Sequence, residues 1–94
     1  MSYALAIAPE AEEDLNRLIE SLPKRRREAA LDGVAAELEK LVANPSLAVR
    51  STLGRPTYRF SFIVENVHYH WAATFKYAQD ERTIVITQVF RVAL

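Results

Sequence analysis

The chain contains no cysteine, which excludes disulfides, thiolate catalysis and cysteine-based zinc sites. That composition fits a reducing compartment. There is also no apolar run near the ~20 residues needed to span a bilayer. The opening stretch, Tyr3 to Ala8, lacks a basic flank and breaks at Pro9, unlike a secretory leader. A cytoplasmic protein with no membrane partner is therefore expected. Repeats, low-complexity tracts and linkers are absent, so residues 1–94 read as one domain.

An excess of charge is missing too, since twelve cations balance twelve acids. The balance is local, however. Residues 1–23 hold one cation against five acids, and residues 24–59 hold eight cations against four acids. A mixed field does not by itself advertise nucleic acid, but the middle third can form a basic patch. Half of the residues are hydrophobic, enough for a small core.

Periodicity assigns the elements. Tyr3, Leu5 and Ile7 alternate with small residues, as in a short strand. Pro9 suits the first turn of a helix, and Glu10, Glu12, Glu13 and Asp14 crowd the turn where the helix dipole favours anions. Ala11, Leu15, Leu18 and Leu22 form its apolar stripe, giving a helix over 9–21. Pro23 opens a second helix, with Leu31, Val34, Leu38 and Leu41 as its stripe, and Asn44-Pro45 ends it. A loop follows from Ser46 to Pro56.

From Tyr58 the period becomes two. Tyr58, Phe60, Phe62 and Val64 face one way, and Arg59, Ser61, Ile63 and Glu65 the other. Glu65-Asn66 reads as a turn. Residues 67–77 alternate with Tyr69, Trp71, Phe75 and Tyr77 on the apolar side and His68, His70, Thr74 and Lys76 opposite. After the polar turn Gln79-Asp80-Glu81, Ile84, Ile86, Gln88 and Phe90 alternate against Val85, Thr87, Val89 and Arg91. Consecutive strands with short turns form an antiparallel meander. The expected fold is α+β, in the order β-α-α-β-β-β, with the helical hairpin packed on the aromatic face of the sheet.

The open face would then carry Arg59, Ser61, His68, His70, Thr74, Lys76, Thr87 and Arg91. Arginine and lysine bind phosphate, and histidine moves protons near neutral pH. Cleaving RNA without a metal needs such groups. A base activates the ribose 2′-hydroxyl, cations stabilise the charged transition state, and an acid protonates the leaving oxygen. A solvated polar face uses the same residue types, and composition alone favours that plainer reading. His68 and His70 share a strand face two residues apart but have no evident third ligand, so no metal is expected. Lys24-Arg25-Arg26-Arg27 is either a solvated charge run or a grip on nucleic acid or an acidic partner. Arg55 and Lys76 are further binding candidates.

The order "APEAEEDLNRLIESLP", "ELEKLVANP", "TYRF", "HYHWAATF" and "TIVITQVFR" resembles the RelE/ParE toxin superfamily over nearly the whole chain. The resemblance implies a toxin of a type II toxin–antitoxin system, neutralised by a cognate antitoxin in a hetero-oligomer and needing no cofactor. RelE-like members cut mRNA on the ribosome without a metal, whereas ParE-like members inhibit DNA gyrase. The RNA-cleaving members carry an arginine in a "YR" strand motif. Tyr58-Arg59-Phe60 matches it by letters; Tyr69-His70-Trp71 occupies its place by strand order and is preferred. On this resemblance Arg59, His70, His68 and Arg91 are the catalytic candidates, and Lys24, Arg25, Arg26, Arg27, Arg55 and Lys76 the target-binding ones. RNA-cleaving relatives are usually basic, so the zero net charge keeps a gyrase-binding or inactive module as alternatives.

Overall fold

In the computed structural model, residues 3–50 and 54–93 are described, Arg50 by its backbone only. Strand β1 (Ala4–Ile7) leads into α1 (Pro9–Glu20); a single 3-10 turn (Lys24–Arg26) then runs into α2 (Arg27–Ala43). A second 3-10 turn (Pro45–Leu47) precedes β2 (Val49–Arg50), and β3 (Pro56–Val64), β4 (Val67–Tyr77) and β5 (Thr83–Arg91) complete the chain. The expected loop 46–56 thus holds a short turn and a two-residue strand, while its residues 51–53 lie outside the described residues. No helix among the described residues is long and apolar enough to cross a membrane.

The strands form one sheet in the order β1-β5-β4-β3-β2. The β3-β4-β5 meander is antiparallel as expected. β1 joins it alongside β5 in parallel, so the sheet is mixed at that edge. The α1–α2 hairpin is the crossover, carrying the chain over one face from β1.

That face is apolar because every second residue of β3 is. Tyr58, Phe60, Phe62 and Val64 are buried, and Arg59, Ser61 and Ile63 between them are exposed. Phe62 stacks on Tyr69 at 5.4 Å and meets Trp71 edge-on at 5.0 Å, geometries that aromatic quadrupoles favour. α2 lays Ala30, Val34, Leu38 and Leu41 against them. It comes so close that a Cβ on Gly33 would stand 3.1 Å from Phe62. α2 buries Ala30 where the spacing pointed to Leu31; Leu31 is 43% exposed. On α1, Ala11 and Ile19 are buried, with Leu15 and Leu18 packed beside them.

One register shift alters the rest. Thr74 pairs with Gln88, but its neighbour Phe75 pairs with Ile86, leaving Thr87 as an extra residue. This is a β-bulge, in which two residues oppose one. Thr87 and Gln88 both lie by Thr74, whose hydroxyl is 2.8 Å from that of Thr87. Beyond the bulge the parity of β5 is reversed. Val89 is buried and Phe90 is 41% exposed, the opposite of simple alternation.

Candidate functional site: the open sheet face and the strand end

The hairpin leaves one sheet face bare, and β3–β4 pairing organises it. Arg59 stands opposite Ala72, Ser61 opposite His70, and Ile63 opposite His68. Arg59 and His70 are thus diagonal neighbours, about 7–8 Å apart along the backbone and somewhat less at Cβ. The His68 and His70 rings lie nearly parallel with centroids 6.4 Å apart. Phe90 pairs with Ala72 from the other side, completing a row of Arg59, Ala72 and Phe90 across three strands. An exposed aromatic beside an arginine and a histidine is a surface on which a base can stack. Alternation alone hid Phe90, because only the bulge turns it outward.

Arg91 takes the place Phe90 was expected to hold. It pairs with the core residue Trp71, and its guanidinium donates to the Ser21 hydroxyl at 3.3 Å. It therefore leaves β5 on the helix side, at the end of the strand, and not on the bare face. Beyond Arg91 the Val92 N–H continues the pairing, to the His70 carbonyl at 2.9 Å. A groove of about 410 Å³ opens there, lined by His68, Tyr69, His70 and Arg91 among others. His70 is the hinge of the arrangement: it shares the bare face with Arg59 and the strand-end groove with Arg91.

Arg55 and Lys76 come together with Thr87 around a groove of about 430 Å³. Lys76 lies six residues along β4 from His70, about 20 Å of extended strand. Arg55 and Lys76 thus sit toward one end of the bare face, with Arg59 between them and His70. Among the described residues, no three His, Cys, Asp or Glu side chains gather closely enough to hold a metal ion.

The basic run behaves differently from a solvated stripe. Arg27 donates to the Leu22 and Glu20 carbonyls, at 3.1 and 2.9 Å, and so caps the last carbonyl of α1 and one just beyond it. Arg25 Nε and Arg26 Nε both reach Glu65 Oε2, at 3.1 and 2.7 Å. Arg26 also donates to the Tyr69 hydroxyl at 3.2 Å. The Arg26 hydrogen bond is the main cause holding the Glu65 carboxyl below its usual range. The compensating charge therefore comes from the β3–β4 turn, 39 positions further along the chain.

No known family pattern and no curated protein matches the chain. Solved structures do. A chain of the toxin–antitoxin complex RelBE2 from Mycobacterium tuberculosis matches with a TM-score of 0.64 at 19% identity, over 98% of this chain and 100% of that one. The free Escherichia coli toxin RelE, with two arginines replaced by alanine, matches with a TM-score of 0.59 at 14% identity, over 97% of this chain and 84% of that one. A chain of the intact E. coli RelBE toxin–antitoxin complex matches with a TM-score of 0.59 at 13% identity, covering 99% of this chain and 100% of that one. In fold, the chain is RelE-like.

Proposed function

We propose that the chain is the toxin of a type II toxin–antitoxin pair and acts as a ribosome-dependent, metal-independent mRNA endonuclease. The observation that carries this reading is the Arg59–His70 diagonal on the bare face of a RelE-like fold. Arg59 binds the scissile phosphate and stabilises its developing charge. His70 exchanges a proton with the attacking 2′-hydroxyl or the leaving oxygen. His68 lies beside it as a second proton carrier, and Phe90 stacks a neighbouring base. Arg91 approaches from the strand-end groove that it shares with His70, and Arg55 and Lys76 steer the chain at the other end.

Two solved relatives are toxin–antitoxin complexes, which supports a cognate antitoxin as partner. The bare face offers that partner Ile63, 61% exposed, and Phe90. Val85 is half-buried there, while Val89 faces the core and contributes nothing.

Purified chain added to translating ribosomes should cleave mRNA, and the same transcripts should stay whole without ribosomes. His70→Ala and Arg59→Ala should each lower the cleavage rate by about 10²–10³-fold. Intact transcripts on ribosomes would exclude the nuclease. A gyrase inhibitor is the second reading. It is favoured by one observation: Arg25, Arg26 and Arg27 each bond to a partner within the chain, although Lys24 and Arg25 are exposed. Loss of supercoiling activity on adding the protein would select it.

A further inference from the structure

Arg25 and Arg26 converge on a single carboxylate oxygen, with the Tyr69 hydroxyl beside Arg26, in a way suited to a larger anion. Each guanidinium gives one Nε–H to Glu65 Oε2, and the Tyr69 hydroxyl adjoins the second arginine. Arginine forks match two oxygens of one anion, and a phosphate has the oxygens to engage both forks at once. Arg26 is partly buried, its side chain 18% exposed, and its bonds to Glu65 and Tyr69 hold the guanidinium in position. Tyr69 also lines the strand-end groove with His70 and Arg91, so through Tyr69 the cluster adjoins the proposed RNA path.

The backbone supplies an independent observation. Glu65 and Asn66 adopt φ of 51° and 64° in a two-residue turn closed by the Val64–Val67 pair. Turns with two positive φ values favour Asn, Asp and Gly. Asn66 conforms. Glu65 does not, and its side chain is what the position gains.

We propose that Arg25, Arg26 and the Tyr69 hydroxyl form a phosphate seat, which the Glu65 carboxylate closes from within until an RNA phosphate displaces it. This rests on the reading of the chain as an RNA-binding toxin and adds a gate to it. The free protein then binds stray RNA weakly, because each contact at the seat must displace an internal anion.

The test is fluorescence anisotropy of a short labelled single-stranded RNA with the full chain, titrated across a salt series. Glu65→Asn puts a turn-favoured residue at the position, and Glu65→Gln keeps the side-chain shape without its charge; thermal melts verify that both fold. Both should bind about 3–10-fold tighter at low salt, with the log–log salt slope steeper by about 0.7–1.4, as one or two more cations engage phosphate. Adding Arg26→Gln to Glu65→Asn should abolish the gain. Glu81→Asn removes a different turn glutamate, also at positive φ, and should give much less. Inorganic phosphate should compete with the RNA on Glu65→Asn, and competition only at concentrations far above those of the RNA marks a polyanion site.

Equal gains from Glu65→Asn and Glu81→Asn would reduce the effect to net charge and overturn the seat. No gain from either Glu65 variant would also overturn it. If Arg59→Gln still weakened RNA binding in that case, the RNA-binding reading would stand without a gate. If Arg59→Gln had no effect either, both would fall.

Discussion

β3 and β5 have nine residues each, yet they separate their two sides differently. β3 alternates without interruption, so Tyr58, Phe60, Phe62 and Val64 all reach the helices. β5 alternates up to Ile86, inserts Thr87, and resumes with Val89 inward and Phe90 outward. A period of two leaves a strand no tolerance for a one-residue slip. β3 therefore depends on its count of residues, whereas β5 has an extra residue built in. The difference sets the chemistry of the bare face: the bulge brings an aromatic ring there and sends Arg91 to the helix side.

Single-residue deletions separate the two strands most sharply. Deleting Ser61 would turn Phe62 and Val64 toward solvent and Ile63 inward. Each misplaced side chain costs about 1.5–3 kcal/mol, and a domain of this size has only about 5–14 kcal/mol in all. The expected result is an insoluble or unfolded protein, read by circular dichroism. A cooperative melt near that of the parent would contradict the β3–β4 register.

Asp14 gives the next largest effect. Its carboxylate accepts the Val89 N–H, just past the bulge, at 3.2 Å. Replacing it with alanine leaves a part-buried amide unpaired, at a cost of about 1–3 kcal/mol. Asp14→Asn keeps an acceptor and should recover most of that in urea melts. Equal losses for both variants would assign the role of Asp14 to charge.

Deleting Thr87 should be milder. It removes the extra residue and leaves Val89 inward and Phe90 outward, since Gln88 already opposes Thr74. What is lost is the Thr74–Thr87 hydroxyl contact, about 1 kcal/mol. Gln88 Oε1, 3.4 Å from the Thr74 hydroxyl, can take over as partner. A loss as severe as that from deleting Ser61 would mean that the bulge's added twist, and not its residue count, holds β5 in place.

The same contrast explains what could be read from the letters. The helices, the meander and the aromatic face follow from local period, and local period is what a sequence displays. The bulge was not read, because unbroken alternation put Gln88 in the inward row with Ile84 and Ile86, and a single polar residue there does not by itself mark an insertion. The parallel docking of β1 against β5 joins residues 4–7 to 83–86, a pairing that nothing within either segment encodes. The partners of the basic run were hidden for the same reason: Arg26 and Glu65 lie 39 positions apart. Of the catalytic candidates, Arg59, His68 and His70 fall on the face their parity gave them. Arg91 does not, because the shift upstream of it changed its side.

The Arg25–Glu65–Arg26 cluster gives the smallest effect, and its sign is fixed. The folded Glu65 carboxyl is held below its ordinary value of 4.5, chiefly by the Arg26 hydrogen bond. A group whose folded pKa is depressed binds fewer protons in the folded state. Its stabilisation is present above the unfolded value and is lost as pH falls through the folded one. Wild type should therefore exceed Glu65→Gln in melting temperature near neutral pH, by a margin that closes in acid below about 4.5. Because the carboxylate is exposed, salt screens the pair, and the margin at neutral pH should narrow in concentrated NaCl. A margin that widens in acid would show that Glu65 is not held as a carboxylate by Arg26, and with that the internal anion of the phosphate seat would be gone.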